Sequence, residues 1–185
     1  MSNFYSTEEL KELGIKEFGE EVYISKKASI YSPQNLKIGS HVRIDDFCIL
    51  SGEIEIGNYV HISAYVALYG KHGIKIKDYS GCSPRTTIFS ATDDFSGEYM
   101  INPMVPEKYT NVTGGTVTLE KHVQLGANTV VMPNVIIGEG TCVGAMSFVN
   151  KNLDEWKIYA GIPCKIIKER KKNVIKLSKT LEKKE

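Results

Sequence analysis

The sequence lacks most of the features that would narrow its class at once. Its four cysteines (Cys48, Cys82, Cys142, Cys164) lie far apart with no C-x-x-C spacing. Neither a disulfide framework nor a thiolate zinc site is expected, and the thiols read as reduced. Twenty-three basic residues against 22 acidic ones leave a formal net charge of +1, which offers no argument for a nucleic-acid partner. No window approaches the roughly eighteen apolar residues of a membrane span, so no membrane partner is expected. The opening Met1-Ser2-Asn3-Phe4-Tyr5-Ser6-Thr7-Glu8-Glu9 has neither the basic start nor the apolar stretch of a secretory signal. A cytoplasmic location is the expectation that follows.

What is present is an ordinary globular composition, 185 residues with 42% apolar and 24% charged, enough for one domain with a core. Charge is unevenly spread. Residues 165–185 hold nine Lys or Arg and three Glu, a net of +6, so the preceding 164 residues carry −5. This basic tail is read as a C-terminal helix, either a solvated one or one that meets a polyanion such as a phosphorylated cofactor.

The organising signal is a repeat. Aliphatic residues recur every six positions through Ile38, Ile44, Leu50, Ile56, Ile62 and Leu68, and again through Leu119, Leu125, Val131, Ile137, Val143 and Val149. Shorter runs fit the same rhythm, namely Ile24 and Ile30, then Ile76, Cys82 and Ile88. The residue two before each is also apolar or small, as in Val42-x-Ile44 and Val60-x-Ile62, and Gly often follows, as at Gly57, Gly126 and Gly144. On a helix at roughly 100° per residue, steps of six scatter over three faces. One flat strand of dozens of residues exceeds ordinary strand length several-fold. Short strands broken by a turn every six residues remain, and they wind into a parallel β-solenoid whose interior collects the marked side chains.

Three breaks interrupt the rhythm. Two extra residues separate Ile30 from Ile38, and two more separate Leu68 from Ile76, giving Tyr69-Gly70-Lys71-His72-Gly73. After Ile88 the rhythm stops until Gly114-Gly115, and a structureless loop of that size is more often functional than idle. Ahead of the coils, Ser6-x-x-Glu9 predicts a capping box and a short helix ending at Gly14 that plugs one end of the solenoid.

These hexads resemble the hexapeptide-repeat acyltransferases over roughly residues 20–170. The resemblance implies an all-β fold, a left-handed parallel β-helix with three strands per coil, and a homotrimer with sites between neighbouring prisms. The layout is then an N-terminal capping helix and lead-in over 1–21, a β-helix over 22–164 with an acceptor loop at 93–115, and a basic C-terminal helix over 165–185. It also implies acetyl-CoA, or another acyl-CoA, as co-substrate and no metal. The stretch Leu125-Gly126-Ala127-Asn128 followed by Val143-Gly144-Ala145-Met146 is similar to the coils along which the family lays the pantetheine arm. By that match Ala127 and Ala145 offer backbone groups to it, Asn150 and Lys151 lie near the adenine, and Lys165 and Lys168 meet the phosphates.

The acceptor side departs from the sugar O-acetyltransferases of the family, which place a catalytic His just after the rhythm breaks. Here that place reads Ser90-Ala91-Thr92-Asp93-Asp94-Phe95. A hydroxyl acceptor needs a base of near-neutral pKa, which suits His better than a carboxylate of pKa about 3.9. An amine carries its own lone pair and needs only to be attracted and aimed. The substitution therefore favours N-acylation, with Asp94, helped by Asp93, steering the amine. Val42-Arg43-Ile44-Asp45-Asp46-Phe47 together with Asp93-Asp94-Phe95-Ser96-Gly97 resembles the bacterial N-acyltransferases of nucleotide-linked aminodideoxysugars, best matched by a dTDP-4-amino-4,6-dideoxyhexose acceptor destined for surface glycans. His72, Arg85, Glu98 and Tyr99 are the candidate acceptor ligands. His41, His61 and His122 read as outward-facing surface or trimer contacts, Asp45 and Asp46 as structural turn residues, and Trp156 as a core or cap residue. The competing readings are a sugar O-acetyltransferase with His72 or a His from a neighbouring subunit as base, a zinc enzyme of the γ-carbonic anhydrase kind, for which the histidines lack a close pair, and a non-catalytic solenoid.

Overall fold

The computed structural model describes residues 3–183. At the N-terminal end, α1 (Thr7–Glu12) is opened by the expected capping box: the Ser6 hydroxyl accepts from the Glu9 N–H at 3.2 Å while the Glu9 carboxylate accepts from the Ser6 N–H at 2.7 Å. Leu10 is buried against the first coil, and Gly14 turns the chain at φ +78°.

The chain then coils around three faces of parallel strands. On the first face Val22–Ile24, Val42–Ile44, His61–Ile62, Gly81–Cys82, Gln124–Leu125, Cys142–Val143 and Lys157–Ala160 stack in sequence. The second face carries Ser29–Tyr31, Thr87–Phe89, Val130–Val131 and Phe148–Val149. On the third lie Glu17–Phe18, Leu36–Ile38, Val117–Leu119 and Ile136–Ile137. The longer strands Ile49–Ile56 and Ala67–Ile76 run round the corner from the second face to the third. Because Glu17–Phe18 already pairs with Leu36–Ile38, the solenoid starts before residue 22, the boundary expected from the repeat.

Each face contributes one inward column, and the repeat read from the sequence is that column. Of the seventeen marked positions only Ile30, at half-buried, is not fully buried. Burying each such aliphatic side chain stabilises the coil by about 1.5–3 kcal/mol. The small polar residues at the second inward position satisfy themselves locally: Thr86, Thr129 and Ser147 donate to the carbonyls of Ser83, Gly126 and Gly144 at 2.7–2.8 Å.

Two corners place non-glycine residues at positive φ, one through His41, Tyr59, Tyr79, His122 and Trp156, the other through Phe47, Tyr65, Arg85, Asn128 and Met146. Such backbone is unfavourable for L-residues, and ring stacking offsets the cost. His41–Tyr59, Tyr59–Tyr79 and Tyr79–His122 stack at 4.5–5.0 Å between centroids, each pair worth about 0.5–1.5 kcal/mol. His122 is therefore buried inside a ladder rather than turned to the surface, a difference from the sequence reading.

The C-terminal segment also differs from expectation. Lys165–Glu169 forms a strand, not the start of a helix, and pairs antiparallel with Lys157–Ala160. The last coil would otherwise present an unpaired edge, and the β-branched Ile166-Ile167 suits a strand. The helix begins later, as α2 (Asn173–Glu182). It is tied along the aromatic corner by Arg170, which donates to the carbonyls of His122 and Gly140 at 2.7 and 2.8 Å, and by the Tyr79 hydroxyl, which donates to Glu182 at 2.8 Å. Among the described residues no helix is long and apolar enough to cross a membrane.

Candidate functional site

All three breaks in the rhythm occur at one corner. Tyr31, Ser51, Tyr69 and Phe89 stack in register on the second face, so the segments leaving that face in successive coils emerge one above another. The loop after Phe89 is organised rather than structureless. Ala91–Thr92 pairs antiparallel with Thr113–Gly114 at its base, and Glu107–Tyr109 forms a 3-10 turn within it.

Loop and corner enclose a cavity of about 980 Å³ lined by Tyr69, Lys71, His72, Phe89, Asp93 and Asn111, among others. A second cavity of about 380 Å³ adjoins it, sharing Phe89, Asp93 and Val112 and adding Phe95 and Met132. Tyr69 and Phe89 stack at 5.3 Å and 10° between ring planes, forming a rigid floor. His72 is fixed through its backbone: its N–H donates to the Ser90 hydroxyl at 2.8 Å and its carbonyl accepts from the Thr116 hydroxyl at 2.8 Å. Its ring lies over Gly114, where a Cβ would meet the imidazole at 2.8 Å, so only glycine fits beneath it.

The two candidate carboxylates are placed differently. Asp93 lines both cavities. Asp94 is turned into the loop, accepting from the Ser96 N–H at 2.7 Å and from the Asn111 side-chain amide at 3.1 Å. Hydrogen bonds from Ser96 first, and then Asn111, hold Asp94 below the ordinary carboxylate value. His72 thus joins Asp93 on the cavity, while Arg85, Glu98 and Tyr99 line neither one. The Arg85 guanidinium covers the Tyr65 ring at 5.2 Å on a different corner, the Glu98 N–H donates to the Ser96 hydroxyl, and Tyr99 is exposed.

On the other positive-φ corner, Pro84, Ala127 and Ala145 occupy successive coils. The Asn128 N–H donates to the Pro84 carbonyl and the Met146 N–H to the Ala127 carbonyl, at 3.0 and 2.8 Å. Gly126 permits this approach, since a Cβ there would strike the Gly144–Ala145 backbone. Asn150, Lys151, Lys165 and Lys168 are all exposed near the end of the solenoid. Lys151 lies close enough to Cys164 to oppose the rise that burial imposes on its thiol pKa. Burial pushes Cys48 up to about 11 and Cys82 up to about 12, and raises Cys142 as well. No cysteine is therefore poised as a thiolate nucleophile. Among the described residues no three His, Cys, Asp or Glu side chains converge as a metal site.

Residues 116–151 match the bacterial transferase hexapeptide (six repeats) family. Over 172 residues the chain is 45% identical to a dTDP-4-amino-4,6-dideoxy-D-glucose acyltransferase of Escherichia coli, covering 91% of this chain and 90% of that protein. The chain belongs to the hexapeptide-repeat acyltransferases. Its fold superposes with a TM-score of 0.97, at 51% identity, on AntD, an N-acyltransferase from Bacillus cereus, in complex with dTDP and 3-hydroxybutyryl-CoA; the match covers 100% of this chain and 98% of that one. An AntD variant altered at a serine is known with dTDP-4-amino-4,6-dideoxyglucose and coenzyme A, and other variants are altered at an aspartate ten residues beyond that serine. A hexapeptide-repeat acetyltransferase of Vibrio cholerae, 19% identical, shares the fold with a TM-score of 0.61. The solenoid of this acyltransferase is a left-handed parallel β-helix, as in its family.

Sequence reasoning passed over Lys71, Asn111, Phe89 and Met132, all of which line the acyltransferase's cavities. A signal for the first was present. Reading the hexads in threes puts Leu68 directly beneath Ile88, so the small break carrying Lys71 and His72 had to meet the large one.

Proposed function

We propose that this acyltransferase moves an acyl group from an acyl-CoA to the 4-amino group of dTDP-4-amino-4,6-dideoxyglucose, supplying an N-acylated sugar for surface glycans. The observation that carries this reading is Asp93, a carboxylate common to the two adjoining cavities. One of them is large and rimmed by Lys71, His72 and Asn111, suited to a sugar nucleotide. The relatives that act on or bind this amino sugar align over nine-tenths or more of the chain. The spacing of the serine and aspartate altered in AntD is matched here by Ser83 and Asp93, which favours Asp93 over Asp94 as the steering group. Among the described residues no side chain orients the His72 ring by a hydrogen bond, so it lacks the partner that a general base for a hydroxyl would need.

In this mechanism Asp93 accepts a hydrogen bond from the acceptor amine and aims its lone pair at the thioester carbonyl. The N–C bond forms, the C–S bond breaks, and the departing thiolate, its thiol pKa near 8.5 by analogy with cysteine, takes the ammonium proton. The thiols of the chain, all raised by desolvation, favour direct attack by the amine over an acyl-cysteine intermediate. Ala127 and Ala145 present backbone to the pantetheine arm, Asn150 and Lys151 lie by the adenine, and Lys165 and Lys168 attract the phosphates. The protein works as a homotrimer in the bacterial cytoplasm, each site completed by a neighbouring copy. The test is a thiol-release assay with acetyl-CoA, comparing the dTDP-linked 4-amino sugar with its 4-hydroxy counterpart and identifying products by mass. Acylation of the amine alone is expected; acylation of the hydroxyl sugar alone would overturn the reading.

A further inference from the structure

The strand that closes the solenoid, Lys165–Glu169, is not held by a core. Its five side chains are all exposed, and among the described residues its ladder partner is Lys157–Ala160 alone. Its register carries a β-bulge. Lys165 stands opposite Ala160 and Ile166 opposite Tyr159, whereas Lys168 stands opposite Ile158, so Ile167 is the extra residue. Side chains of a regular strand alternate between faces, which would send Lys165 and Lys168, three positions apart, to opposite sides. The bulge cancels that separation. Tyr159 continues the inward column of Val143 and is buried. Ile158 and Ala160 on either side of it therefore face outward, and the two lysines opposite them do the same. They stand two positions apart along the partner strand, about 6.8 Å. Ala160 packs on Gly144, where an added Cβ would lie 3.0 Å from its own. The lysine pair thus begins where the corner carrying Ala127 and Ala145 ends.

At the other end of this strand, on the aromatic corner, sits Arg170. Its N–H donates to the Trp156 carbonyl at 2.8 Å. Its guanidinium donates to the carbonyls of His122 and Gly140 at 2.7 and 2.8 Å, so one residue joins three successive coils. We infer that Arg170 is a positioning residue for the acyl donor, clamping the bulged strand so that Lys165 and Lys168 meet the coenzyme's phosphates as a pair. The inference rests on the phosphate reading above and deepens it. A lysine is a point charge on a flexible stem. Two of them converge on one diphosphate only when their backbones share a face and stay in place. The bulge supplies the shared face, and the Arg170 clamp supplies the fixed strand.

The test is thiol release with the dTDP-linked 4-amino sugar, comparing acetyl-CoA with S-acetylpantetheine, which has the pantetheine arm but no phosphate. Arg170→Met keeps the aliphatic stem and removes the donors. Its KM for acetyl-CoA is expected to rise roughly tenfold, the scale of one lost bond to a charged group. Its kcat at saturating acetyl-CoA, and its kcat/KM with S-acetylpantetheine, should stay within about twofold of wild type. In a Lys165→Ala/Lys168→Ala background the same substitution should add less than about twofold, because the contacts it serves are already gone. Equal losses with the two donors would show that Arg170 only supports the fold, and would overturn the inference, as would full additivity with the lysine substitutions. A lysine effect without an Arg170 effect would overturn the positioning role alone. A lysine double variant with wild-type KM for acetyl-CoA would overturn the phosphate reading itself, and the clamp's role with it.

Discussion

Replacing Asp93 by Asn separates its chemical role from any structural one. The change is nearly isosteric and removes one negative charge. Among the described residues the Asp93 carboxylate makes no hydrogen bond or ion pair within the chain, its only bond being through the backbone carbonyl to Thr92. The fold should therefore be untouched, and the melting temperature is expected to stay within a degree or two. In the proposed mechanism the charge removed is the one that holds the amine on line with the thioester. A positioned group acting on a reacting proton contributes about 10²- to 10⁴-fold, so kcat should fall by that factor while CoA affinity, set on other coils, is preserved. Asp94→Asn serves as the internal control. Asp94 faces Ser96 and Asn111 rather than the cavity, so its substitution should loosen the loop and raise the KM for the sugar nucleotide more than it lowers kcat. The assay is steady-state thiol release at saturating donor, with coenzyme A titrated calorimetrically into each variant. A kcat for Asp93→Asn within threefold of wild type, or a larger kcat loss for Asp94→Asn, would refute the placement of the steering charge.

Two further outcomes follow from the packing. Ile62 is fully buried in the column between Ile44 and Cys82, and Ile62→Ala should cost about 2–5 kcal/mol, read as a shift in the urea midpoint; a loss below about 1 kcal/mol would mean the column is loosely packed. Burial depresses the His122 pKa from its ordinary 6.5, so below pH 6.5 the unfolded chain binds a proton that the folded chain refuses. Stability is thus lost as pH falls from 6.5 towards the depressed value, by at most about 1.4 kcal/mol per pH unit. His122→Phe should keep the stack on Tyr79 and flatten this dependence between pH 6.5 and 5. An unchanged slope in denaturation curves across that window would show that His122 is not the group responsible.

The sequence by itself determined the solenoid. Ile44, Ile62, Leu68, Leu125 and Val143 had to face one interior, because no helix or single strand reconciles a period of six with continuous burial. The capping box at Ser6 and Glu9 was equally legible, since both of its bonds join residues three apart. The segment 165–169 was not, because its strand exists only where Lys157–Ala160 leaves an edge to cover, and composition alone favoured a helix. The inward turn of His122 was likewise invisible from its hexad, because it depends on Tyr79 and Trp156 from other coils. The site was half legible. Local sequence singled out the pair Asp93-Asp94, but which carboxylate faces the cavity turns on Asn111, seventeen residues beyond Asp94 in the chain and brought back to it by the loop. Period and capping are contacts between near neighbours and can be counted along the chain, whereas the aim of a side chain is set by whichever distant segment reaches it first.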